Sequence, residues 1–288
     1  MIHTINIFEI LYIRNFMDLK SKQLELQYQG YLNTSLLWKD HAVLGLNQLE
    51  LPEKSAVVFD KLIPDQLRLG KRVERFVNTL LQQHENIEIL AENEQIQNDK
   101  ITIGEIDSIL KFDDVPIHLE IVFKFYLYDP LIGSSEIEHW IGPNRNDNLV
   151  KKLHKLKDKQ LPLIRNIHTK PLLRKLKINL EDILQRVHFK ALLFEPYNTK
   201  TIEFKLLNKD CLKGFYIHFS EIQQFSQSKF YIPSKTDWLQ DIHPYVNWLT
   251  FESFNKILMI QINEKRAPLC WIKFPNGILK KFFVVWWD

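Results

Sequence analysis

The chain has 288 residues, 45% apolar and 12% aromatic. That is enough for one large domain or two modest ones, and too apolar for overall disorder. A net charge of +3 leaves the partner class open, and no stretch is long and apolar enough to span a bilayer. Cys211 and Cys270 lie far apart without CxxC spacing, which speaks against a zinc site or a disulfide framework and fits a reducing compartment.

Residues 1–66 read as a mostly helical extension that ends in a proline-punctuated stretch over 51–64. The opening segment lacks a basic start, is interrupted by Glu9 and Arg14, and offers no small-residue cleavage site. A cytoplasmic, soluble protein is therefore expected, with Met17 as an alternative start. Residues 67–84 follow as an amphipathic helix, with Leu69, Val73, Phe76, Val77, Leu80 and Leu81 at helical spacing and Glu74 at the edge of the stripe. Three strands come next, over 87–96, 101–112 and 115–127, separated by turns at Asn98-Asp99 and Asp113-Asp114. A loop with Trp140, Gly142, Pro143 and Asn144 leads to a helix over 147–160, for which Asn146 or Asp147 is the expected cap. A further basic helical segment reaches about residue 186, and a buried strand over 188–194 closes the series.

The expected fold class is therefore α/β, in the sense of an α+β mixed sheet. An αβββαβ core spans 67–196, flanked by the helical extension and by a β-rich, aromatic module over 197–288. That module has short strand-like runs at 215–219, 256–262 and 282–287.

Period-two alternation locates the chemistry. In the third strand Val115, Ile117, Leu119, Ile121, Phe123, Phe125 and Leu127 share an apolar face, while His118, Glu120, Val122, Lys124 and Tyr126 share the other. Glu105 and Asp107 share a face of the second strand. If the polar faces of this hairpin coincide, Asp107 and Glu120 converge. Two close carboxylates repel unless a cation or proton intervenes, and hard oxygen donors suit Mg²⁺ or Mn²⁺. A solvent-facing cross-strand ion pair with Lys124 explains the same residues more plainly. Gln160 falls on the stripe of Leu149, Leu153 and Leu156, so its amide should face the sheet. From Lys151 to Lys177 there are ten Lys or Arg and one acid, Asp158, a segment that a polyanion or plain solvent could face.

The Gly104-Glu105-Ile106-Asp107 segment, the hairpin and Leu119-Glu120-Ile121 together resemble the GEID…(F/V)EVK pattern of PD-(D/E)XK nucleases, and the αβββαβ order matches it. The LGKRVERF, HLEIVFKFYL and IGPNRND segments resemble an uncharacterised bacterial family placed in that superfamily. The resemblance implies a restriction-endonuclease-like core. It makes Asp107 and Glu120 metal ligands with the backbone carbonyl of Ile121, and it gives Glu74 and Gln160 supporting roles. The motif lysine falls on Val122, so its role passes to Lys124, about 6.6 Å further along the same face.

The expected function is Mg²⁺- or Mn²⁺-dependent phosphodiester hydrolysis on nucleic acid, DNA ahead of RNA. Lys151, Lys152, Lys155, Lys159 and Asn144 would hold the phosphate backbone. Two alternatives stand beside it: a nucleic-acid-binding protein of this fold without the reaction, motivated by Val122, and a protein–protein scaffold using the aromatic module.

Overall fold

The computed structural model describes residues 7–51, 59, 61–198 and 202–287, with residues 7–19 as backbone only. Most of the 51–64 proline stretch lies outside them. Helix α1 (Ile7–Leu32) is followed by an irregular segment, and helix α2 (Leu69–Leu81) opens the core. Its apolar spacing does what amphipathic spacing requires: Val73, Phe76, Val77 and Leu81 are buried.

Strands β1 (Ile87–Asn98), β2 (Ile101–Phe112) and β3 (Val115–Tyr128) form an antiparallel meander. Asp113 and Asp114 both have left-handed φ, 48° and 64°, the geometry that a tight two-residue hairpin needs. The short strand β4 (Trp140–Ile141) pairs with the end of β3. Strand β5 (Leu184–Pro196) lies parallel to β3 over eleven register pairs, Ile117↔Leu184 to Leu127↔Phe194. The order α2-β1-β2-β3, then helix α3 (Leu149–Lys155), then β5, with β4 inserted, is the αβββαβ series.

The C-terminal residues continue this sheet. β6 (Leu212–His218) pairs parallel to β5, and β9 (Leu279–Val285) parallel to β6. β8 (Leu269–Lys273) and β7 (Lys229–Tyr231) complete the far side antiparallel. The result is a nine-stranded mixed sheet in the order β1-β2-β3-β5-β6-β9-β8-β7, with β4 on β3.

The two faces of β3 separate as alternation requires. Ile117, Leu119, Ile121, Phe123, Phe125 and Leu127 pack with Tyr28 and Tyr31 of α1, with Phe76 of α2, and with Trp238 and Phe283. On the other side Val122 and Tyr126 pack with Leu149, Leu153 and Leu156.

Three expectations are corrected. The helix after the loop starts at Leu149, because the Asn148 side chain, not that of Asn146 or Asp147, accepts from the Lys151 N–H. Helix α3 (Leu149–Lys155) then loosens into a π turn over Leu156–Gln160, and a short helix α4 (Lys170–Leu176) follows the 3₁₀ turns beyond it. The run 256–262 is not a strand. It belongs to helix α5 (Phe251–Asn263), whose Phe254, Leu258 and Ile262 fall four apart on one buried face. A short apolar run carries either period, and here the four-residue spacing decides.

One feature of β3 positions everything that follows. Pairing with β2 stops at Ser108↔Leu119, and pairing with β4 begins at Leu127↔Ile141. Among the described residues no strand lies beside residues 120–126 on that edge, in the middle of the sheet.

Candidate metal centre

Where β2 leaves β3, Asp107 takes the place of the next ladder bond. Its Oδ2 accepts from the Ile121 N–H at 2.9 Å. A residue's N–H and C=O leave a strand on the same side, so the Ile121 carbonyl also faces the open edge. Glu74, Glu105 and Asp107 each bring a carboxylate oxygen within 4.8 Å of the others. Lys71, one turn before Glu74 on α2, lies among them. Its Nζ is 2.8 Å from Glu74 Oε2 and 2.8 Å from Asn93 Oδ1, and it also pairs with Glu105.

Glu120 sits on the neighbouring β3 position, and its side chain is fully enclosed. Its two oxygens are held from opposite directions. His118 Nε2 donates at 3.1 Å and the Gln160 side-chain amide donates to the other oxygen. His118 is buried, and burial pushes its imidazole down to about 4, so it is neutral here. Gln160 in turn accepts from Lys152 Nζ at 2.8 Å.

Three acids in this group are raised to about 7. For Asp107 burial is the larger cause and the Glu120 charge the next, against the Ile121 N–H, Lys71 and Lys152. For Glu120 burial again leads, opposed by Lys152 and Asp107. For Glu74 burial leads, opposed by Lys71 and reinforced by Asp107 and Glu105. Lys152 is pushed down to about 8 by burial, with Glu120 pulling the other way. Buried carboxylates that resist ionising together form a donor set short of positive charge, and a hard divalent cation relieves that shortage. The donor chemistry fits Mg²⁺ or Mn²⁺: carboxylates and a backbone carbonyl, with no sulfur or imidazole nitrogen needed.

The model of a family described as a domain of unknown function (DUF1853) matches residues 23–285. The chain belongs to this family. No curated protein matches the chain, and no solved structure does. The match to DUF1853 runs from within α1 to the end of β9, so the family unit is the whole sheet with its helices.

In this DUF1853 chain the expected residues divide. Asp107, Glu120, Ile121, Glu74 and Gln160 come together around the point where β2 departs. Lys124 does not join them: its Nζ pairs with Asp147 Oδ2 at 2.6 Å, further along the open edge. Val122, at the motif position, is core. Lys152, expected as a phosphate contact, turns inward to Gln160 and Glu120. Lys151, Lys155 and Lys159 are exposed on the far side of that helix. Asn144 is occupied as a tie between segments, its Oδ1 accepting from the Ala267 N–H at 2.8 Å. Lys71, which the sequence reading missed, and Glu105, read only as sharing a face with Asp107, both belong to the cluster. Helical spacing is the signal that could have found Lys71 and Lys152: Lys71 lies three before Glu74, and Lys152 lies three after Leu149 and four before Leu156, on the buried stripe.

Proposed function

We propose that this protein is a metal-dependent phosphodiesterase of the PD-(D/E)XK type acting on nucleic acid, DNA ahead of RNA. The observation that carries the reading is the convergence of Glu74, Asp107 and Glu120, each raised to about 7, beside the Ile121 backbone at an open strand edge. Asp107 and the Ile121 carbonyl would hold Mg²⁺ or Mn²⁺, with Glu120 beside them and Glu74 and Glu105 on the outer side. When bound, the cation supplies positive charge to a phosphate oxygen as negative charge builds there. Gln160 holds one oxygen of the Glu120 carboxylate in place.

The lysine role falls on Lys152 in this reading. It is half-buried, and burial pushes it down to about 8, so near that pH a share of it is the neutral amine, which can hold a water near the phosphorus and take up its proton as that water attacks. The phosphorus–oxygen bond opposite the attack then breaks, and the leaving oxygen receives a proton from solvent. Lys124, paired with Asp147, moves from the motif-lysine role to a phosphate contact along the edge.

A second reading, binding without cleavage, draws on the enclosure of Glu120 by His118 and Gln160. One experiment separates the two. Linear, nicked, branched and single-stranded DNA, and RNA, are incubated with wild type and with Asp107→Asn, in Mg²⁺, Mn²⁺ or chelator. The melting temperature is followed with and without Mn²⁺. Metal-dependent cutting and a metal-dependent rise in melting temperature are expected in wild type and absent in the folded variant. Binding with neither would establish the second reading, and absence of binding would discard both.

A further inference from the structure

The open edge of β3 leads away from the carboxylates toward residues that no family motif covers. Lys152, Lys124 and Lys235 follow one another along it: desolvation lowers Lys152 to about 8 and Lys235 to about 7, and the nearby charge of Lys124 lowers each further. Lys235 comes from the segment after β7, not from the αβββαβ core. Its Nζ lies 3.2 Å from the Trp238 ring centroid and 5.6 Å from that of Phe125, the β3 residue next to Lys124. The residue is exposed, and among the described residues it makes no ion pair. Aromatic faces hold the ammonium in place, and a phosphate arriving there would favour its charged form.

Beyond Lys235 the edge opens into a cavity of about 590 Å³. Arg266 stands on its rim, and Ile232, Ile257 and Ile260 line it. The last two are 41% and 60% exposed. The cavity wall is fixed to the core loop by three contacts. Ala267 N–H bonds Asn144, the Trp287 indole donates to the Pro143 carbonyl at 2.8 Å, and Arg145 lies over the Trp287 ring at 4.6 Å.

We infer that this cavity seats an unpaired stretch of a nucleic-acid strand whose neighbouring phosphates lie on Lys235 and Lys124. The inference rests on the phosphodiesterase reading and names its substrate class: polynucleotides with single-stranded character beside the scissile bond, such as ends, flaps or branches. The argument is complementarity on both sides of the cavity. Cations on its approach match phosphates, whereas exposed isoleucines match base and sugar faces. A duplex hides its base faces in the stack and offers such a lining only its backbone and groove edges. A protein segment would match the isoleucines but not the row of three lysines that continues toward the carboxylates.

The test is equilibrium binding of the full chain to a short fluorescent oligonucleotide in chelator, so that nothing is cut. The probe is single-stranded or annealed to its complement, as DNA and as RNA, over a series of salt concentrations. Wild type should prefer the single strand. Lys235→Ala should reduce the slope of log affinity against log salt by about 1. Ile260→Asp, at an exposed position that the fold does not need, should weaken the single strand at least tenfold and leave the duplex unchanged. A wild type that prefers the duplex, or variants that bind the single strand as wild type does, would overturn the inference and leave the phosphodiesterase reading standing. A wild type that binds no nucleic acid would overturn both. The DNA and RNA arms decide which sugar the cavity takes.

Discussion

At the residue scale, the lysine is the sharpest distinction the site offers. Lys124 faces the same way as Glu120 along β3, yet it ends on Asp147. Lys152 reaches the carboxylates from a different element. In a cleavage assay Lys152→Met should lower the rate about 10²- to 10⁴-fold, the range of a lost proton-transfer group, whereas Lys124→Met should cost less than tenfold. The reverse order would return the role to Lys124. A second residue is legible through pH. His188 is buried on β5, its Nε2 2.9 Å from the Tyr31 hydroxyl and its Nδ1 3.3 Å from the Leu49 carbonyl. Burial first, and the Lys190 charge next, push it from 6.5 down to about 3. The folded state then binds fewer protons than the unfolded chain between those values. Its stability is full above pH 6.5 and falls toward pH 3, by up to about 1.4 kcal/mol per pH unit from this group. Urea titrations between pH 7 and pH 4 should therefore show a shallower acid loss in His188→Gln than in wild type.

At the element scale, close approach overrides local preference. Gly30 lies in α1, where alanine is the better helix former by about 1 kcal/mol. A Cβ there would sit 2.1 Å from the Leu239 carbonyl oxygen, a backbone atom that no rotamer change can move. Overpacking costs about 1–3 kcal/mol, so the contact outweighs the propensity. Gly30→Ala should lower the urea midpoint even though it improves the isolated helix, and a raised midpoint would show that α1 can shift away. The π turn at Leu156–Gln160 belongs to the same scale. The stripe of Leu149, Leu153 and Leu156 pointed Gln160 at the sheet. The wider turn is where the structure delivers its amide to Glu120.

At the scale of the whole molecule, the αβββαβ series is not independent of its flanks. Phe125 meets Trp238 at 5.2 Å and Phe194 meets Phe283 at 4.8 Å between ring centroids. Asp237, buried, accepts from Gln23, Gln27, Gln240 and Ser234, which ties α1 to the segment after β7. Residues 67–196 made alone would expose the β5 edge and the aromatic face of β3. That fragment should show no cooperative unfolding transition by circular dichroism, whereas the full chain should show one. A cooperative fragment would make the core a domain of its own.

The sequence by itself determined the elements whose signal is local. The period of α2, the alternation of β1 to β3, the two left-handed hairpin aspartates and the faces of β3 all follow from spacing and turn chemistry within a dozen residues. It also placed Glu105 and Asp107 on one face of β2 and Glu120 on the polar face of β3, and the pairing of those faces came from the register of the folded hairpin. Tertiary structure alone decided where β2 leaves β3, because that departure depends on what packs against both strands. It decided that Lys152 displaces Lys124 at the carboxylates, since a lysine's reach depends on the crossing of helix and sheet. It made 251–263 a helix, because a short apolar run takes the period its neighbours can bury. And it joined the aromatic C-terminal residues to the same sheet, since pairing between strands far apart in the chain leaves no periodic mark on either one.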